Sequence, residues 1–104
     1  MTARPDMARA ALALVSFGWG VSVGAILRPG KGTSVVAFAR QVAMYLMHTS
    51  LSMTMDSVGS AVGRDRTTVM HACHAIEDAR NDPALDARLD AIDAALRCAM
   101  EAQI

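Results

Sequence analysis

Aromatic residues are scarce in this chain: they make up 4% of 104 residues, with one Trp, one Tyr and two Phe. Strand formers of the β-branched type are also few outside some valines, so a sheet stabilised by aromatic and branched cross-strand pairs has little material. Apolar residues nonetheless reach 53%, with Ala and Met abundant, and such side chains pack helix against helix. The expectation is an all-α fold, a compact bundle of about five to six helices forming one domain over residues 1–104.

Other absences narrow the function. The two cysteines, Cys73 and Cys98, show no CxxC spacing. Both fall in expected helices, which predicts free buried thiols in a reducing cytoplasm. His71, Cys73 and His74 lie close in sequence, but Cys73 belongs to an apolar face and no fourth ligand stands at a fitting distance, so no zinc site is expected. No Walker A pattern occurs, since Gly30-Lys31-Gly32-Thr33 lacks the preceding glycine loop. Paired carboxylates in a cleft pattern and a supported Ser/His/Asp order are missing too, so neither an enzyme nor a cofactor is expected. The start of the chain lacks the features of a secretory signal. Ala10–Leu27 runs 18 residues without a charge, but Gly18, Gly20 and Gly24 interrupt it, which predicts two short buried helices rather than a membrane span.

Net charge is zero with the histidines neutral, and its distribution is uneven. From Arg28 to Arg80 six basic residues face four acids, whereas beyond Arg80 only Arg88 and Arg97 face Asp82, Asp86, Asp90, Asp93 and Glu101. One end is mildly basic and the other acidic; for the tail, a solvated helix face suffices.

What the chain does have is concentrated in Gly63-Arg64-Asp65-Arg66-Thr67-Thr68-Val69-Met70-His71-Ala72. Gly63 suits the left-handed residue that ends a helix. Asp65 suits the N-cap of the next, accepting from the amide of Thr67 or Thr68. The new helix would carry Arg66, Thr67 and Thr68 in its first turn and His71 one turn on, where a helix-turn-helix presents side chains to a major groove. Arg64 and Asp65 can alternatively form a local ion pair.

Around this motif the punctuation is regular. Asp6 is expected to cap a first helix over the Met7–Phe17 run, broken at Gly18 to Gly20. A short turn at Val23–Leu27 leads to the Arg28-Pro29-Gly30-Lys31-Gly32 loop. Thr33 or Ser34 opens a longer helix to about Ser50, with Val35, Phe38, Ala39, Val42 and Leu46 on its stripe, widened by Val36, Ala43 and Met47. Thr54 caps a short helix Met55–Val62, and Gly63 closes it. The next helix runs from Arg66 to about Arg80 with Val69, Ala72, Cys73 and Ile76 inward. Asp82 and Pro83 then start a last helix to Ala102 that buries Leu85, Leu89, Ile92, Leu96 and Met100. Met44, Met47, Met53, Met55 and Met70 read as core and groove filler, and Trp19 and Tyr45 as packing residues.

Ala39-Arg40-Gln41-Val42-Ala43-Met44-Tyr45-Leu46, followed by Gly63-Arg64-Asp65-Arg66-Thr67-Thr68-Val69-Met70-His71-Ala72-Cys73, resembles the C-terminal DNA-binding domain of the DnaA family of bacterial replication initiators. That family carries an A-R-Q-x-A-M-Y-L helix and a G-G-R-D-H-T-T-V-x-H-A signature, and the likeness covers roughly residues 8–95. It implies a stand-alone helix-turn-helix relative without the initiator's ATPase part, binding double-stranded DNA, with a DnaA-box-like site as target, in control of replication initiation or transcription. By position, Asp65, Arg66, Thr67 and Thr68 would read bases; Arg40, Gln41, Arg64 and His71 would hold phosphates; Arg28 and Lys31 would approach the minor groove. The residue chemistry suits those roles: Arg bridges guanine O6 and N7, Asp accepts from cytosine, and the Thr methyl meets the thymine methyl. Arg40 can equally pair within the bundle, and His71 can equally be a half-buried core residue.

The chain departs from the pattern in three places. It has one glycine where the family has two, which is expected to alter the turn; Arg66 stands for the family's histidine, which shifts sequence preference; and Gly32 stands at the minor-groove arginine. The expected affinity is therefore about micromolar rather than nanomolar. The neutral charge and thin loop also fit another class, a protein-interaction module that mimics the initiator's DNA-binding domain and binds a protein regulator of the initiator.

Overall fold

A computed structural model describes residues 5–102, and six helices follow one another along the chain: α1 Pro5–Trp19, α2 Val23–Leu27, α3 Ser34–Thr49, α4 Met55–Val62, α5 Arg66–Ala79 and α6 Pro83–Glu101. Among the described residues there is no strand, and no helix is long and apolar enough to cross a membrane.

Cap chemistry sets most boundaries. Ser22, Thr33, Thr54, Asp65 and Asp82 stand at N-caps in extended conformation, and each side chain accepts a backbone N–H of the first turn. Pro83 opens α6, where its missing N–H costs nothing. Ser22 has no counterpart in the sequence expectation. Asp6, expected as the cap of α1, lies inside its first turn instead, where a negative charge still complements the helix dipole. Helix α1 also continues through Gly18 to Trp19, and Gly20, at φ +67°, ends it. Helix α6 reaches over this end: Arg88 donates to the Gly18 carbonyl and stacks its guanidinium over Trp19 at 4.1 Å.

Helix α3 is the axis of the molecule. From Ala39 to Met47 every residue but the half-buried Gln41 is buried, the all-round apolar pattern of a helix surrounded by others. The expected stripe fails at Val35, which is exposed, whereas Phe38 is half-buried and packs against the core. Met7, Ala11 and Val15 of α1, Val58 and Val62 of α4, Val69 and Ile76 of α5, and Leu89 and Leu96 of α6 close one core around α3. Fully burying an aliphatic of this size contributes roughly 1.5–3 kcal/mol. Leu85, Ile92 and Met100 lie at the edge of that core rather than inside it.

A polar network fastens α6 at the far end of α5. Tyr45 donates to Glu77 Oε2 at 2.7 Å and accepts from Arg80, whose guanidinium also pairs with Asp86 and Asp90. Burial and the bond to Glu77 push the Tyr45 pKa up, while the bond to Asp86 raises that of Arg80. Ser50 donates to Asp93 at 2.5 Å from the end of α3. Cys73 is buried, and burial raises its thiol pKa, but Cys98 is exposed on α6, against expectation.

Candidate nucleic-acid interface

Helices α4 and α5 form the helix-turn-helix, and Gly59 and Gly63 make the turn possible. Gly63 takes φ +70° at the end of α4, a conformation that costs other residues steric strain. The amide of Arg64 folds back to the Gly59 carbonyl at 2.9 Å, and a Cβ on Gly59 would lie 2.4 Å from the Arg64 carbonyl oxygen. The single glycine of the signature, with Gly59 before it, completes the turn. Val62, the residue before it, is buried in the core.

Asp65 then opens α5 by accepting from the Thr68 amide at 2.8 Å. Its carboxyl is held below the usual carboxylate range, first by the Thr68 amide, then by the Thr68 hydroxyl, with smaller help from Thr67 and His71. Arg64 and Asp65 do not pair. The periodicity of α5 puts Val69, Ala72, Cys73 and Ile76 inward and leaves Arg66, Thr67, Thr68, His71 and His74 exposed. His71 is thus on the surface, not in the core, and Cys73 points away from both histidines. Met70, expected as filler, is 40% exposed between Arg66 and His74 on the outer face. Arg66 lies 3.9 Å from Asp56 of α4, with both side chains largely open to solvent.

Two arginines assigned to phosphates are placed otherwise. Arg40 is only 5% exposed. Its guanidinium donates to the carbonyls of Ile26 at 2.7 Å, Lys31 at 2.9 Å and Ala25 at 3.4 Å. These include carbonyls of the last turn of α2, where Ala25 also accepts from the Arg28 amide at 3.4 Å. Burial and the nearby Arg64 lower the Arg40 pKa, but a guanidinium stays charged. The phosphate role for Arg40 is corrected: it is buried, with each guanidinium nitrogen bonded to a carbonyl inside the protein.

Arg64 is half-buried and also holds main-chain carbonyls. Its two terminal nitrogens donate to Arg28 O at 2.9 Å, Gly30 O at 2.8 Å, Val62 O at 3.1 Å and Gly63 O at 3.3 Å. This brings the α2–α3 loop against the turn of the helix-turn-helix, with Gly30 at φ +89° and Gly32 at φ +75° shaping it. Arg28 and Lys31 stand exposed on that loop, and Gln41 is half-buried on α3. The sequence reading missed Gly59, Met70 and Asp56. A glycine inside an expected helix was the available signal for the first; the Asp56–Arg66 pair spans two helices and left none.

Comparison with known proteins decides the family. A family profile described as "Bacterial dnaA protein helix-turn-helix" matches residues 10–76, more than half of the chain. The chain belongs to that family. Over 54 residues it is 50% identical to the chromosomal replication initiator protein DnaA of Bifidobacterium animalis subsp. lactis, which is 51% of this chain and 9% of that protein. The DnaA of Aromatoleum aromaticum is 49% identical over 51 residues, 48% of this chain and 11% of its own. The DnaA of Thermomicrobium roseum is 36% identical over 78 residues, 73% of this chain and 17% of its own. The chain thus corresponds to between 9% and 17% of the length of these DnaA relatives, and the profile ends inside α5, before the acidic helix α6.

Proposed function

We propose that this member of the dnaA helix-turn-helix family binds double-stranded DNA through α5 and acts in the control of replication initiation or of transcription. One observation carries the reading: the first turn of a capped α5 presents Arg66, Thr67 and Thr68 outward while Val69 and Ala72 anchor the opposite face. In this reading those three residues enter the major groove. Arg66 bridges a guanine, and Thr68 offers its methyl to thymine. Asp65 orders the turn and leaves what remains of its acceptor capacity for a base amine. His71 and Gln41 meet phosphates, and Arg28 and Lys31 reach the adjacent minor groove.

The neutral net charge favours a second reading, in which the domain mimics the initiator's DNA-binding domain and docks a protein regulator of the initiator. Fluorescence anisotropy separates the two. A duplex carrying the initiator's box and a scrambled duplex are titrated at two salt concentrations. DNA reading predicts tighter binding to the box, with the preference lost in Arg66→Ala and Thr68→Ala. Equal, salt-steep binding to both duplexes means attraction to the backbone alone. Absence of binding at low salt overturns the DNA reading and leaves the protein partner.

A further inference from the structure

The α2–α3 loop has two glycines in left-handed conformation and two exposed cations, so side-chain packing does little to hold it. Its main chain is gripped instead. Arg40 takes the carbonyls on the α2 side together with Lys31, and Arg64 takes Arg28 and Gly30 while also holding Val62 and Gly63 of the turn. Burial first, and the like charge of Arg64 second, lower the Arg40 pKa, and seven backbone carbonyls accept from the two guanidinium groups. Arg40 is buried and belongs to the bundle. Arg64 is half-buried and spans 34 to 36 residues of sequence from the turn to the loop.

We propose that Arg64 is a positioning residue: its forked guanidinium locks the loop bearing Arg28 and Lys31 to the start of α5, so that both elements meet a duplex as one prearranged unit. This rests on the DNA-binding reading above. A loop already ordered loses less freedom on binding, so Arg64 adds affinity without touching DNA. The fork matters more than the charge, because a lysine ammonium is a single point donor and cannot bridge carbonyls of both segments with the same geometry.

The test uses the full chain and the box duplex. Arg64→Lys keeps the charge, so a direct phosphate contact would survive it. The clamp predicts instead that Arg64→Lys weakens binding about ten-fold, in line with the cost of leaving a binding loop unordered. Arg28→Ala/Lys31→Ala should weaken it to a similar degree, and adding Arg64→Lys to that pair should cost little more, since coupled residues are not additive. In the free protein, the backbone NMR order parameters of Gly30, Lys31 and Gly32 should fall in Arg64→Lys with helix content unchanged. Wild-type affinity in Arg64→Lys, or full additivity with the loop variants, overturns the proposal. Unchanged loop order parameters beside normal DNA binding overturn the clamp alone. A wild type that binds no duplex overturns the DNA-binding reading and the proposal's DNA half, while the order parameters still decide whether the clamp exists.

Discussion

At Gly59 the turn of the helix-turn-helix passes so close to α4 that a Cβ would stand 2.4 Å from a backbone oxygen. Four residues later Gly63 needs only a left-handed φ of +70°, and a Cβ there meets nothing within 4 Å. The two glycines therefore fail differently when replaced. Gly63→Ala keeps its space and bears conformational strain of about 1 kcal/mol. Gly59→Ala must push the Arg64 backbone away, an overpacking cost of about 2–3 kcal/mol. Urea denaturation of the two variants should show the larger loss at Gly59, the glycine buried inside a helix. Equal losses would mean that the turn yields freely. The same displacement would move Arg64, so Gly59→Ala should also loosen the α2–α3 loop, which Gly63→Ala should not.

At the scale of the element, helix starts were legible because cap chemistry acts over three residues. Thr54, Asp65 and Asp82 stand where the sequence placed them as caps, and Thr33 takes the start left open between it and Ser34. Ser22 was not found, since α2 is five residues long and its apolar residues merge with the run of α1. The outward row on α5 was legible for the same local reason, as an apolar period with polar residues between. The arginines were not. Whether Arg40 serves a phosphate or the bundle depends on carbonyls 9 to 15 residues away, and two of the four carbonyls that Arg64 holds lie 34 to 36 residues back. Nothing local distinguishes those outcomes.

The cap of α5 also carries a charge with a pH signature. Asp65 is depressed below the usual carboxylate range by the bonds it accepts. Its contribution to stability is therefore fully present above the unfolded value of about 3.9 and is lost as pH falls through the lower folded value. Asp65→Asn keeps an accepting oxygen at the cap without titrating. Thermal melts should show wild type slightly more stable than Asp65→Asn at neutral pH, with the gap closing below about pH 4. A gap that stays constant to acid pH would mean that the carboxylate charge adds nothing to the cap.

For the whole molecule, the decisive quantity is how far the acidic end stands from the face assigned to DNA. Helix α5 has 14 residues, so its axis separates Arg66 from the Arg80 network and α6 by about 20 Å. Asp78 lies 12 positions after Arg66, about 18 Å along that axis. The screening length is about 8 Å at physiological salt and about 30 Å at 0.01 M. A duplex seated on the first turn of α5 should therefore ignore Asp78 at physiological salt and feel its repulsion only at low salt. Asp56 is different, because it lies 3.9 Å from Arg66 and competes with DNA for that cation at any salt. Asp56→Asn should raise box affinity about two- to five-fold at both concentrations, the range an exposed ion pair is worth. Asp78→Asn should leave affinity unchanged at physiological salt and raise it only at 0.01 M or so. If the two substitutions act alike at physiological salt, the duplex lies along α5 instead of across its start. The loop cations Arg28 and Lys31 would then be on the wrong side to reach a groove.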